Sequence, residues 1–165
     1  MTSFLKPIQM LLGAGIAFVA AMTAAEARAP EIYLDRGGVF SRAWEYAVGG
    51  YDVVAYFDLE EGAAPVAGDD DYVTEYLGVQ WRFASQENLE KFKADPDRYR
   101  PAYGGYCAWA MARDKLAKGD PKVWYVYDGT LYLNVSPRYE REWLSDVDGE
   151  IARADGFWPG ILDRN

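Results

Sequence analysis

Asp128-Gly129 stands between residues 123–127 (VWYVY) and 130–135 (TLYLNV), two runs rich in β-branched and aromatic residues. An Asp-Gly pair in that setting is among the strongest short-range hairpin signals, because both central residues of the favoured turn need positive φ. Residues 72–77 and 79–83 flank Gly78 in a similar composition and predict a second hairpin. Helix signals lie around these pairs. Ser85 is placed to cap a helix with Leu89 and Phe92 on one face and Glu87 and Lys91 on the other, and Asp95-Pro96 stops it. Gly104-Gly105 opens a helix over residues 106–113. Ser136-Pro137 starts a long C-terminal helix whose stripe is Tyr139, Trp143, Val147 and Ile151, with Gly156 at its end. Upstream, residues 31–34 are a short strand candidate, 40–48 a short helix with Ser41 as cap, 51–57 (YDVVAYF) a buried strand or extended segment, and 59–71 a polar loop. No internal repeat is evident. The fold class is α+β, with small antiparallel hairpins packed against a few helices.

The N-terminus reads as an export signal. One positive charge precedes a charge-free run over residues 7–25, and Ala25-Glu26-Ala27 fits the small-x-small cleavage pattern. The expected location is periplasmic or secreted, with no membrane attachment after cleavage. Cys107 is the one cysteine of the chain, so no intrachain disulfide can form and the domain must stand on its core. The net charge of −9 argues against nucleic acid and anionic membrane surfaces as partners. The absence of histidine removes the commonest general base and metal ligand, and no nucleophile–base pair can be named for a hydrolase or transferase. Nothing in the sequence sets an oligomeric state.

Residues 81–99 (WRFASQENLEKFKADPDRY) resemble the YHS domain, a small module related to treble-clef-like metal-binding domains. With YDVVAYF upstream and YGGYCAWA, DPKVWYVYDGTLYLN and the final Trp-Pro downstream, the likeness extends over residues 50–159 and is similar to the exported subgroup of that family. This implies a signal peptide at 1–27, an N-terminal extension at 28–49, a YHS-like domain at 50–159 and a tail at 160–165. It also implies where metal-ligating cysteines of relatives would fall: on Ala84, on Asn88 and near Ala55. Alanine offers no lone pair and an isolated Asn amide is a poor transition-metal ligand, so no parental metal site is expected.

What remains for chemistry is the segment from Tyr103 to Met111. Near the start of a helix, the Cys107 sulfur would be a stabilised thiolate with lowered pKa; buried among Tyr103, Tyr106 and Trp109 it would be a small hydrophobe. The exported subgroup includes selenoproteins, which points to the same position. Cys107 and Met111 lie one helical turn apart, a soft pair suited to Cu(I), though no further ligand completes it and no cofactor is expected. Asp69, Asp70 and Asp71 lack the spacing of a calcium loop. Aromatics are 16% of the chain, more than a minimal core needs, and suggest a binding surface. Two functions follow: an exported binding module presenting aromatics to a small ligand or partner protein, or a thiol-based redox or Cu(I)-handling protein acting through Cys107.

Overall fold

The computed structural model describes residues 28–37 and 44–164. The export signal, and residues 40–43 of the expected first helix, lie outside the described residues. The architecture is α+β, as the hairpin and cap signals imply. Strands β1 (Asp69–Tyr76) and β2 (Val79–Phe83) form one antiparallel hairpin, followed by helices α1 (Gln86–Ala94) and α2 (Pro96–Tyr99). A short α3 (Ala108–Met111) leads to a second hairpin, β3 (Asp120–Tyr127) and β4 (Thr130–Asn134), and then to α4 (Pro137–Leu144) and α5 (Val147–Asp155).

The two halves are copies of one frame, which corrects the reading that the chain has no repeat. Each begins with a 3-10 turn, Ala47–Gly50 and Ala102–Gly105, with two left-handed residues inside it: Val48 and Gly49 in the first, Tyr103 and Gly104 in the second. Each turn is followed by an isolated antiparallel bridge, Tyr51 to Ala67 and Tyr106 to Lys118. The hairpins share one register, Asp69 opposite Phe83 matching Asp120 opposite Asn134, and Tyr76 opposite Val79 matching Tyr127 opposite Thr130. Both carry an irregularity after the opening Asp, and both run into a serine, Ser85 or Ser136, at the helix start. Ser85 accepts from the Asn88 N–H; Ser136 makes no side-chain cap bond and relies on Pro137 in the first turn.

Several segments depart from the expected elements, each for a local reason. Residues 51–57 are buried but are not a strand: the Asp52 carboxyl accepts the N–H groups of Val54 and Ala55 and bends the chain into a 3-10 turn at Ala55–Asp58. A side chain that bonds its own backbone overrides the β propensity of YDVVAYF. Residues 44–48 hold the left-handed turn rather than a helix. Asp69, Asp70 and Asp71 open β1 instead of ending a loop, with Asp70 paired to Arg82 at 2.6 Å. The helix expected over 106–113 shrinks to four residues, because Cys107 is extended and its N–H is held by the Ala117 carbonyl. The C-terminal helix breaks at Ser145-Asp146. There Asp146 leaves helical geometry and its carboxylate turns back over Gly149, where a Cβ would lie 2.4 Å from an Asp146 oxygen. Residues 31–34 form no strand, although the Tyr33 N–H bonds the Gly104 carbonyl at 2.8 Å.

The β3–β4 hairpin explains the aromatic content. Its residues alternate between two cores: Trp124, Leu131 and Leu133 face one built around Trp81, Phe83 and Phe92, while Tyr125 and Tyr132 face another built around Trp143. A hairpin buried on both faces needs large side chains on both, and truncating one of these aromatics to alanine costs roughly 3–5 kcal/mol. The flanking segments belong to the same packing. Ile32 lies in the first core, and Ile161 and Leu162, in the stretch expected as a tail, are fully buried in the second. The N-terminal segment crosses the second 3-10 turn so closely that a Cβ on Gly104 would land on the Glu31 carbonyl oxygen.

Candidate functional site

The residue that organises the first unit is Asp52, wholly buried. One carboxyl oxygen accepts from the N–H of Val54 at 2.9 Å and of Ala55 at 3.2 Å; the other accepts from the Ala84 N–H at 2.8 Å and the Asn88 side-chain amide at 2.7 Å. Ala55, Ala84 and Asn88 are the positions at which metal ligands were sought by resemblance, and the fold does bring them together. They converge as N–H donors on a carboxyl group, a donor set that does not fit a transition-metal ion. Among the described residues, no three of His, Cys, Asp and Glu gather as a metal site.

Cys107 takes the place of Asp52 in the second unit. The backbone N–H groups of Trp109, Ala110 and Val135 face its sulfur, as those of Val54, Ala55 and Ala84 face Asp52. The Asn134 side-chain oxygen lies 3.7 Å from the sulfur and accepts the Trp109 N–H at 3.1 Å. The residue is fully buried, and burial pushes the thiol up in spite of the amides and of the Arg113 charge. Of the two readings of Cys107, the structure has the buried one: desolvation of the thiolate outweighs the amide dipoles, and a helix of four residues adds little dipole.

The other residues singled out in the sequence do not share one pocket. Met111 is fully buried in the second core. Trp109 is half-buried, stacked 4.2 Å from Tyr139, with the Arg113 guanidinium 3.9 Å from its ring centre. Arg113 in turn forms a bidentate pair with the buried Glu150, at 2.7 and 3.0 Å. Tyr106 is buried and donates to the Pro30 carbonyl. Of the remaining aromatics, Tyr56, Trp81, Trp124 and Tyr132 are buried, and Trp44, Tyr51, Tyr72, Tyr76, Tyr125 and Tyr127 are half-buried. Leu77 is the one large hydrophobic side chain exposed among the described residues.

Tyr106 and Trp44 each line a recess of about 340 Å³ along the N-terminal segment at residues 30–37, whereas Tyr103 leads to a site between the two units. Tyr103 lines a cleft of about 250 Å³ where the end of the first unit meets β4 and the end of α5. Tyr132 and Trp158 form the walls with it, their ring centres each 6.0 Å from that of Tyr103. Thr130, Asp97, Arg100 and Asp155 supply the polar lining. Tyr103 donates to Asp155 at 3.0 Å, and burial together with the Asp155 charge pushes the Tyr103 phenol up. Sequence reasoning missed Asp97, Arg100 and Asp155 as site residues, because Asp97 and Arg100 belong to α2 and its cap, Asp155 ends α5, and only the fold joins them. The recurrence of Gly-Gly-Tyr at Gly49–Tyr51 and Gly104–Tyr106 was the available signal for the duplicated frame.

Residues 64–103 match the YHS domain family model. That span covers the first hairpin, α1 and α2 and ends at Tyr103, so all but the first residues of the second copy lie beyond it. Neither a comparison with curated proteins nor one with solved structures returned a match.

Proposed function

From the premise that this is a YHS-domain-containing chain, we propose that it is an exported binding module whose ligand seat is the cleft beside Tyr103. The observation that carries the reading is a contrast within the chain. The cleft is lined by Tyr103, Thr130 and Tyr132, and the matching positions of the first unit are Val48, Val79 and Trp81. The same backbone frame therefore folds without hydroxyl groups at these places, and their presence in one copy is a feature of a site rather than of the fold. The volume lies below the ~300–1,000 Å³ of pockets for drug-sized molecules, which fits a small ligand. Aromatic walls give rigid contact area at low entropy cost, in a recess rather than on an open face.

The alternative function, thiol redox chemistry or Cu(I) capture through Cys107 and Met111, draws less support, since both side chains are fully buried and the thiol is pushed toward its neutral form. An NMR titration of the protein with a library of small polar molecules tests the main reading. Shifts gathered on Tyr103, Thr130, Tyr132 and Trp158 support it; a library that moves no resonance, or moves only others, overturns it. Export is checked separately by fractionation, which should find a chain shortened at Ala27 outside the cytoplasm.

A further inference from the structure

We infer that the cleft takes a small organic ammonium ion, held by the Asp155 carboxylate against the rings of Tyr103, Tyr132 and Trp158. This deepens the reading of the cleft as a ligand seat and rests on it. The charges that line the cleft favour a cation. Arg100 is the one cation there, and it is already engaged: its Nε donates to Asp97 at 2.7 Å and an Nη to Glu31 at 3.3 Å. Asp97 is engaged as well, accepting from Arg100 and from the Tyr76 hydroxyl at 2.9 Å. Asp155 differs. Its only hydrogen bond among the described residues comes from the neutral Tyr103 hydroxyl, and no Lys or Arg pairs with it there.

The cleft thus carries one uncompensated carboxylate facing aromatic side chains. Burial first, and the Asp155 charge after it, push up the phenols of Tyr103 and Tyr132; at Tyr132 the Thr130 hydroxyl opposes this and Asp128 adds a smaller negative contribution. A negative field beside ring faces and edges is the setting in which an alkylammonium group gains both ion pairing and cation–π attraction. An anionic ligand would meet Asp155 with no free cation to offset it. Asp155 is exposed, so beside a neutral ligand its carboxylate stays with water and adds nothing to binding. The first unit supplies the control: Val48 in place of Tyr103 offers no hydroxyl to orient an acid there.

The test uses choline and its neutral isostere 3,3-dimethylbutan-1-ol, titrated into the protein and followed by Trp fluorescence and NMR shifts. Choline is expected to bind in the millimolar range typical of so small a ligand and to shift Tyr103, Thr130, Tyr132 and Trp158. The isostere should bind at least about tenfold more weakly, as should choline to Asp155→Asn, the scale of a loss of ion pairing beside an aromatic wall. Equal binding of the isostere at the same resonances would overturn the ammonium assignment while leaving the cleft as a ligand seat. Shifts elsewhere, or none with either probe, would overturn the ammonium assignment, and the library titration then decides the cleft on its own. If Asp155→Asn does not fold, the choline-to-isostere ratio and the shift map on the unmodified protein decide the outcome alone.

Discussion

The first unit closes its frame around the Asp52 carboxyl with four N–H donors, and the second closes the same frame around the Cys107 thiol with backbone amides at matching positions. The difference continues outward. In the first unit the turn and hairpin positions Val48, Val79 and Trp81 are apolar; in the second, Tyr103, Thr130 and Tyr132 open onto a cleft with an unpaired acid. A frame held twice by one chain separates what folding needs from what it does not. Both copies need the left-handed turn, the paired strands and a hydrogen-bonded group at the Asp52 or Cys107 position. Among the described residues, Thr130 and Tyr132 of the second copy line a cleft with Asp155, whereas the matching Val79 of the first copy lines a recess with Ile32 and Trp44.

Substitutions at matched positions can break this comparison, and the largest effect is expected at the turns. Gly104→Ala should destabilise the protein by about 3 kcal/mol or more, since its Cβ meets the Glu31 backbone as well as an unfavourable φ of 62°. Gly49→Ala, at φ 61° but with only side-chain atoms at 3.4 Å and beyond, should cost about 1–2 kcal/mol. Denaturant midpoints for the two variants measure the gap, and equal losses would mean that the N-terminal segment does not seal the second turn.

A similar gap is expected at the buried groups. Asp52→Ala strands four N–H donors and should cost about 4 kcal/mol, whereas Cys107→Ala removes one sulfur for about 1–2 kcal/mol. Urea unfolding of both variants checks the order, and a Cys107 loss as large as that of Asp52 would contradict it.

The thiol gives a smaller, pH-dependent signature. Burial raises the Cys107 pKa in the folded state, so the unfolded chain releases that proton at lower pH. Its contribution to stability is fully present below the ordinary thiol value of ~8.5 and is lost as pH rises toward the folded value. Stability should fall less between about pH 8 and about pH 10, a window that opens just below that value, in Cys107→Ala than in the unmodified protein. A disulfide reagent should modify the native thiol no faster than the protein opens, and rapid stoichiometric reaction at neutral pH would revive the thiol function.

Hairpins and caps were legible in the sequence because their determinants are local. Asp128-Gly129, Gly78, Ser85 and Pro137 each act within a few residues of themselves. The turn at 51–57 was misread because Val53, Val54, Tyr56 and Phe57 favour strands, while the Asp52 carboxyl that bends the chain acts through hydrogen bonds no propensity records. The repeat was missed for a related reason: the copies share backbone geometry and small residues, and Asp52 and Cys107 answer the same amides with different chemistry. For the site, the sequence marked Tyr103 through its neighbours, but Asp155 joins it only through the fold.

The most direct test of the central claim, that the cleft hydroxyls serve a ligand and not the fold, is thermal unfolding of Tyr103→Phe/Thr130→Val with and without saturating choline. The expected result is a Tm within a few degrees of the unmodified protein, since one hydrogen bond to Asp155 is worth about 1 kcal/mol, and a choline-induced rise that is reduced because Asp155 loses the hydroxyl that orients it. A steep fall in Tm with the choline effect intact would contradict it.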